Sequence, residues 1–534
     1  MLCSENTRRS WFSKKKLPTS GTATSLLSSK DNSSRWGDKS ALGGAIGNNS
    51  TGAHSLQYGK TDAYIESAEV VLADGTVTTF ESMSLEELRA KGDPEGSLEE
   101  RIYAGVADIV DTHGDAIEDQ YPDLKRNVSG YNLDWIVEEA RETGAVNLAR
   151  LLAGSEGTLG IVTEAEVSLV EIPETTSMAL LAYEDLIDAV SDVKAIVEHD
   201  AAAVELVDDV LLELAADTPK FDTLVDMLPE GTGAVLLVEM AGPDEGTTRN
   251  AIAELLADRC PSHDPDGTVP SSPHESDTPV NAFAALEAHD QATQDRFWKL
   301  RKAGLPILLS RMTDEKHIAF IEDTAIPPEN LPEYVADFQD ILAEHDTFAS
   351  FYAHAGPGVL HIRPLIDTKS AEGIERMDAI ADAVTDLVVE YGGSVSGEHG
   401  DGRARTQFNR KLYGEEVYSL FHQLKSTFDP DWLLNPGQVV SPPDDPTDLT
   451  EHLRYGAEYT FEPEFEPTLQ WDNDNGFEGM VELCHGCGGC RGHQDPTGGV
   501  MCPTYRAAEE ESLSTRGRAN MLRAAISGDV DVNA

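Results

Sequence analysis

The sequence predicts an α+β chain. Three observations carry that expectation: a strand–turn–strand stretch at 64–80, strands alternating with amphipathic helical segments over 174–440, and two glycine-dense segments that fit neither class.

From residue 41 the chain reads as strands and glycine turns, beginning "GGAIGNNSTGAHSLQYGK" (43–60). "YIESAEVVLADGTVTTF" (64–80) is two strand patterns around an Asp-Gly turn, a hairpin signal. Residues 84–118 are helical in pattern, and 125–172 return to glycine loops and strand, with Pro173 as a boundary. Beyond it, "SMALLAYED" (177–185) is a strand and 185–199 an amphipathic helix. "AAVELVDD" (202–209) opens another unit, and "TGAVLLVEMAG" (232–242) is a buried strand. The Pro/Ser/Asp-rich 258–280 reads as a surface loop. Residues 330–346 and 370–391 are helices, and "TFASFYAHAGPGVLHIRPLID" (347–367) is a strand pair with a tight turn. The pattern suggests a sheet covered by helices on one side. An acidic linker is expected at 441–475, then a cysteine-bearing segment at 476–534.

Composition narrows the function classes. Forty per cent of the 534 residues are hydrophobic, enough for a large core, and no apolar run approaches the ~18 residues that span a membrane. No continuous apolar signal sequence opens the chain, so the expected location is cytoplasmic, or peripheral on the inner face of a membrane. The net charge of −56 argues against nucleic-acid partners, whose phosphates it repels. The acids are interspersed with apolar residues, which fits a folded surface in a halophilic, haloarchaeal cytosol rather than a disordered tail. Residues 1–35 stand apart: the first 40 residues hold 8 of the 40 Lys and Arg but only 3 of the 96 Asp and Glu. That basic, serine-rich segment is expected to lie outside the fold.

Four constellations carry chemistry. The glycine segments 43–60 and "GSEGTLGIVTEAE" (154–166) let backbone N–H groups approach a ligand, although each alone also serves as a tight turn. "HAGPGVLH" (354–361) and "GGSVSGEHGDGR" (392–403) set His354, His361, Glu398 and His399 in glycine frames, a set able to hold a divalent metal with open positions. "FWKLRKAG" (297–304) and "DEKHIAF" (314–320) offer Arg301 and Lys316. Cations are scarce here, and an arginine fork suits a carboxylate, although a snorkelling surface arginine looks the same in sequence. Finally, Cys484, Cys487 and Cys490 stand at C-x2-C-x2-C spacing, with Cys502-Pro503 following. This is an iron–sulfur pattern in a reducing compartment, with zinc as the rival.

Together these motifs resemble the FAD-linked D-2-hydroxy-acid dehydrogenases of the vanillyl-alcohol-oxidase flavoprotein superfamily, the D-lactate, glycolate and D-2-hydroxyglutarate enzymes. The resemblance covers 41–440. It implies the second half of a VAO/PCMH-type FAD-binding domain over 36–172 and an FAD-linked oxidase C-terminal substrate domain over 173–440. By match, Gly43, Gly44, Asn48, Asn49, Ser50, Gly52, Ser155, Glu156, Gly157, Thr158, Gly160, Ile161 and Val162 become FAD contacts. Asn435 joins them from "FDPDWLLNPGQVV" (428–440). The resemblance makes His354, His361 and Glu398 ligands of zinc, manganese or iron, and His399 the base. It gives Arg301 and Lys316 the substrate carboxylate. The family's inner Asp and Asn between the two histidines are replaced here by Pro357 and its neighbours, which departs from the pattern. With "STRGRANML" (514–522), the cysteine segment resembles fused flavoproteins carrying a two-cluster ferredoxin region, here in partial form.

The implied activity is oxidation of a small D-2-hydroxy acid to the 2-oxo acid. Electrons would leave FAD through 4Fe–4S clusters to a carrier or membrane quinone. In two-cluster ferredoxins the fourth cysteine serves the other cluster, so a C-terminal iron–sulfur portion is expected in trans. The family's first FAD half, with its Pro-Gly-Gly-Gly loop, matches nothing in 1–35. The expectation is therefore a central fragment of a longer protein that binds FAD weakly by itself. The alternatives are a folded remnant or electron-transfer partner without FAD, and an oxygen-using flavin oxidase, against which the cysteine tail argues.

Overall fold

The computed structural model describes residues 15–18, 41–218, 222–261, 282–463, 465–486, 488–494, 499–528 and 530. The expected loop at 258–280 falls largely outside them. A first sheet holds β1 (Lys15–Pro18), β2 (Ile65–Val71), β3 (Val77–Ser84), β4 (Ala145–Asn147) and β5 (Ile161–Val167) in the order β1-β5-β2-β3-β4. The Asp-Gly hairpin forms as expected, pairing Val71 with Val77. The N-terminal segment does not stand wholly apart, because Lys15–Pro18 pairs antiparallel with Val167–Glu164.

Where strands were expected after residue 41, Leu42–Gly47 is instead a helix. Leu42 and Ile46 lie four residues apart and are both buried, so apolar spacing overrides two glycines. The helical stretch at 84–118 is two helices, Leu85–Lys91 and Leu98–Gln120. Each opens with a capping box, Ser84 with Glu87 and Ser97 with Glu100, so the second serine restarts the helix after Gly92.

A second, antiparallel sheet holds β6 (Thr175–Tyr183), β7 (Ala203–Val207), β8 (Ala234–Gly242), β9 (Ala284–Ala288), β10 (Lys316–His317), β11 (Thr324–Ala325), β12 (Ala349–His354) and β13 (Val359–Ile366). Their order is β10-β13-β12-β7-β8-β6-β9, with β11 also on β13. Helices cover both faces, not one. Leu186–Val197, Leu331–Glu344 and Ala371–Glu390 pack into the core on one side. The helix Gln291–Leu308 packs Phe297, Trp298 and Leu300 on the other. Such strands are apolar on both faces, so the charges left on them stand out as functional. After Asn409–Phe428 the chain crosses back: Tyr413, Phe421 and Phe428 join the first core. Residues 409–440 thus belong physically with the first unit, although in sequence they extend the second. Among the described residues, no helix is long and apolar enough to cross a membrane.

Candidate functional site

The site lies on the face of the second sheet that carries Gln291–Leu308. Strand register puts its groups there. Glu205 pairs with His354, and Tyr352 with His361, across β7, β12 and β13. Side chains two apart share a face, so Arg363 joins His361. Gly358 makes the β12–β13 turn at φ +76°, where a Cβ would meet the Ile326 carbonyl at 1.8 Å, so only glycine fits.

Glu398 stands at the centre. Its Oε2 lies 3.3 Å from His354 Nε2, and its Oε1 lies 3.6 Å from His361 Nε2 and 3.0 Å from His399 Nε2. Each histidine turns its other nitrogen to an acid. His354 Nδ1 is 2.7 Å from Glu205, His361 Nδ1 3.5 Å from Glu322, and His399 Nδ1 3.9 Å from Asp323. Three imidazoles thus converge by Nε2, each backed by a buried carboxylate. Asp323 also holds the loop: it accepts from Ser396 Oγ at 2.6 Å, Glu398 N at 3.0 Å and His399 N at 2.7 Å.

Arginines counter these acids. Arg126 is fully buried and donates to Glu398 Oε2 at 3.0 Å, to Ser55 and to the Gly52 carbonyl. Arg363 donates from Nη2 to both oxygens of Glu322 at 2.7 Å and from Nε to the Tyr352 hydroxyl at 3.2 Å. Arg301 Nε donates to Glu205 at 2.7 Å, and its guanidinium lies 5.0 Å from the Tyr352 ring centre. Four carboxylates face three arginines, and the histidines absorb the difference. Burial alone would push His354 and His399 down. Glu205 and Glu398 instead raise His354, and Asp323 and Glu398 raise His399 to about 9. His361 is pushed down by burial. Burial would lift Glu205, yet His354 and Arg301 hold it at about 2. A nitrogen-and-carboxylate set with surplus negative charge suits a divalent cation, and backing each ring by an acid is how metal-binding histidines are oriented. The described ligand atoms that lie together are those of Asp323, His361, Glu398 and His399, and His354, expected as a ligand, joins them through Glu398 at 3.3 Å.

The two glycine segments lie against each other. Glu156 N donates to the Gly47 carbonyl at 2.8 Å, and Asn435 Nδ2 to the Glu156 carbonyl at 2.6 Å. Asn48 donates to the Glu398 carbonyl at 2.6 Å, tying this region to the histidines. Asn49 bonds Asp62, the Ser50 carbonyl accepts from Thr61, and Ser155 and Thr158 bond within their own turn. Gly43 and Gly44 lie in the first helix, and Gly160 leads into Ile161 and Val162 on β5. A Cβ built on Gly44, Gly47, Gly52 or Gly157 would touch nothing within 4 Å, and Ile161 is 56% exposed. Open space over bare backbone beside an apolar side chain fits a flat, phosphate-bearing cofactor such as FAD.

Lys316 is placed elsewhere. It pairs with Ile366, and its neighbour His317 with Leu365, so the pleat sends Lys316 to the face opposite Arg363 and His361. Its Nζ donates to the Arg311 carbonyl, near Asp314 and Glu482, and burial pushes it down. Of the cysteines, Cys487 lies outside the described residues. Arg516 faces the thiols of Cys484 and Cys490, and Cys502 N donates to the Cys490 carbonyl at 3.0 Å. The hydroxyls of Thr504 and Thr515 hold the Cys502 thiol down at about 6. Glu205, Glu322, Asp323 and Arg126 escaped sequence reasoning. An acid inside the apolar run "AAVEL" is a signal in most chains, but 96 acids hide it here.

The family of FAD linked oxidases, C-terminal domain, matches residues 172–439, and an FAD binding domain family matches residues 31–81. D-2-hydroxyglutarate dehydrogenase of Pseudomonas putida is 29% identical over 493 residues, covering 91% of this chain and 46% of that protein. The Escherichia coli protein of the same name is 28% identical over 497 residues, with the same coverage. Glycolate oxidase subunit GlcD of Bacillus subtilis is 30% identical over 404 residues, 75% of this chain and 68% of that protein. The chain thus spans about half the length of the D-2-hydroxyglutarate dehydrogenases it matches. With that match over half its length, the chain belongs to the FAD-linked oxidases, and its mixed helix-and-sheet fold is of the vanillyl-alcohol-oxidase type.

Proposed function

We propose that this chain oxidises a small D-2-hydroxy acid, of the D-2-hydroxyglutarate, D-lactate or glycolate class, to its 2-oxo acid. The observation that carries the reading is the convergence of three acid-backed histidines on Glu398, beside Arg301. FAD, when bound, supplies the hydride acceptor, and a divalent metal at His354, His361 and Glu398 supplies Lewis acidity at the substrate hydroxyl. Arg301 binds the substrate carboxylate with a planar fork. His399, half-exposed beside the site, takes the hydroxyl proton on Nε2 in its neutral form, which is the minor one below about pH 9 until a cation on Glu398 offsets that acid, while Asp323 faces Nδ1. Arg126, buried against Glu398, fixes that carboxylate in place, while His354 and His399 keep it ionised against the effect of burial. The cysteines at 484, 487, 490 and 502 hold 4Fe–4S iron, and Arg516 offsets thiolate charge there. Electrons then leave by an iron–sulfur partner to a carrier or quinone. The acidic surface suits a salt-rich cytoplasm, with the protein free or peripheral on the membrane.

The test is turnover by the chain purified anaerobically in molar salt and supplied with FAD, iron, and zinc or manganese. The expected result is reduction of an artificial acceptor by one of the three acids, lost with His399→Ala by ~10²–10⁴. Unchanged turnover in that variant would remove His399 from the chemistry. Absence of iron and labile sulfide from the loaded protein would remove the cluster.

A further inference from the structure

Glu205 belongs to two arms of the site at once. One oxygen accepts from Arg301 Nε at 2.7 Å and the other lies 2.7 Å from His354 Nδ1. It is 1% exposed and sits on β7 directly across from His354. Arg301 comes from a different element, the helix Gln291–Leu308 laid over that face. Of the three described carboxylates that back the histidines, Glu205 alone splits its two oxygens between an arginine and a ring: Glu322 gives both oxygens to Arg363 and faces His361 at 3.5 Å, and Asp323 holds backbone and hydroxyl donors.

Resting on the function proposed above, we infer that Glu205 is the positioning residue that joins the carboxylate-binding arginine to the metal-binding histidine as one unit. Two consequences follow from its chemistry. As an ionised acceptor it holds one proton of His354 on Nδ1, so that a cation arriving beside Glu398 has only the Nε2 proton to displace before that nitrogen becomes a ligand atom. By taking the Nε edge of Arg301, it leaves the outer edge of the fork for the substrate. In a 2-hydroxy acid the carboxylate and hydroxyl are on adjacent carbons, so the distance between arginine and metal ligand must be fixed. A bridge through a single carboxylate fixes it more tightly than two separate supports.

Glu205→Gln is the informative variant. An amide keeps one oxygen for Arg301 but offers an N–H to His354 Nδ1, which drives the ring proton onto Nε2 and removes the ligand lone pair. The readouts are zinc and manganese affinity of the FAD-supplied chain by equilibrium dialysis, and the His354 tautomer by nitrogen NMR of labelled histidine. Glu205→Gln should weaken metal binding by ~10–100-fold and move the proton to Nε2. Arg301→Gln, which leaves Glu205 with His354, should keep wild-type metal affinity. The double variant Glu205→Gln with Arg301→Gln removes the buried charge pair together, guards against misfolding of the single variant, and should bind metal as weakly as Glu205→Gln. Wild-type affinity in both Glu205 variants overturns the inference while leaving the metal reading intact. Failure of the wild-type chain itself to take up either ion overturns the metal reading, and this inference with it.

Discussion

At the scale of single residues, Asp323 decides whether the catalytic loop has one geometry. Its carboxylate accepts from Ser396, Glu398 and His399, while its own backbone sits at φ 84°. Asp323→Ala strands those buried donors, at ~1–3 kcal/mol for each left unsatisfied. The expected outcome is a lower urea midpoint, and an unchanged midpoint would show that the loop holds itself. The residues carrying chemistry were legible to different degrees, for physical reasons. His354 and His361 lie on the two strands that flank a glycine turn, Glu398 and His399 sit in a glycine-framed loop, and local sequence imposes both settings. Arg301 was legible only as a scarce cation, and Lys316 shared that signal. What separates the two is the pleat of β10 against β13, a register of partners some fifty residues apart that no local pattern encodes. Glu205 and Glu322 depend on the same kind of long-range pairing.

Between elements, two contacts hold the parts together, and each makes a prediction. His54, in the glycine segment, lies 2.7 Å from Glu239 on β8, whose other oxygen accepts from Trp298 Nε1 at 3.1 Å. Burial lowers the imidazole, yet Glu239 and Glu205 outweigh burial and Lys302, leaving His54 above its ordinary value. A histidine raised on folding contributes stability that is complete below its unfolded value near 6.5 and fades as pH climbs through the folded one. Wild type should therefore exceed His54→Phe in thermal stability at pH 6 by more than at pH 9, and an equal gap at both would mean the ion pair contributes nothing. The second contact is Lys369, whose Nζ meets Asp314, Glu478 and Glu482 at 2.8, 2.7 and 2.8 Å beneath Tyr455 and Tyr459. It pins the helix Gly476–Glu482, and with it the cysteine segment, to the end of β13. Lys369→Met leaves three carboxylates facing one another. Limited proteolysis should then cut within 441–475 sooner than in wild type. Equal cutting rates would show that the segment docks by other contacts. Sequence gave 441–475 as a bare linker because its composition is acidic and proline-rich. Its buried Leu449 and its Tyr455 and Tyr459, packed edge-on against each other, show a docked strap instead, fixed by a lysine more than seventy residues upstream.

Over the whole molecule, the excess of acid sets how stability responds to salt, and two effects oppose each other. Salt weakens attractive ion pairs, and it relieves repulsion among the acids that have no partner. The pairs that matter most to the fold are sheltered: Arg126 with Glu398, Lys425 with Asp429 and Arg259 with Asp192 are all nearly or fully buried, where screening is slight. The exposed pairs, such as Arg249 with Glu245 and Lys411 with Asp382, are worth only ~0–1 kcal/mol each in any case. Repulsion is spread over a net charge of −56 and acts between exposed groups, where ions screen fully. At 0.1 M the Debye length of ~10 Å spans neighbouring side chains, and at 1 M it falls to ~3 Å, shorter than the gap between most of them. Relief of repulsion therefore wins, and the melting temperature should rise steadily as KCl goes from ~0.1 M into the molar range. Because the effect is general screening, NaCl should act like KCl at equal ionic strength, whereas a bound potassium ion would separate the two salts. A melting temperature flat across that range would mean that local packing already offsets the surface charge, and the halophilic reading of the composition would fall with it.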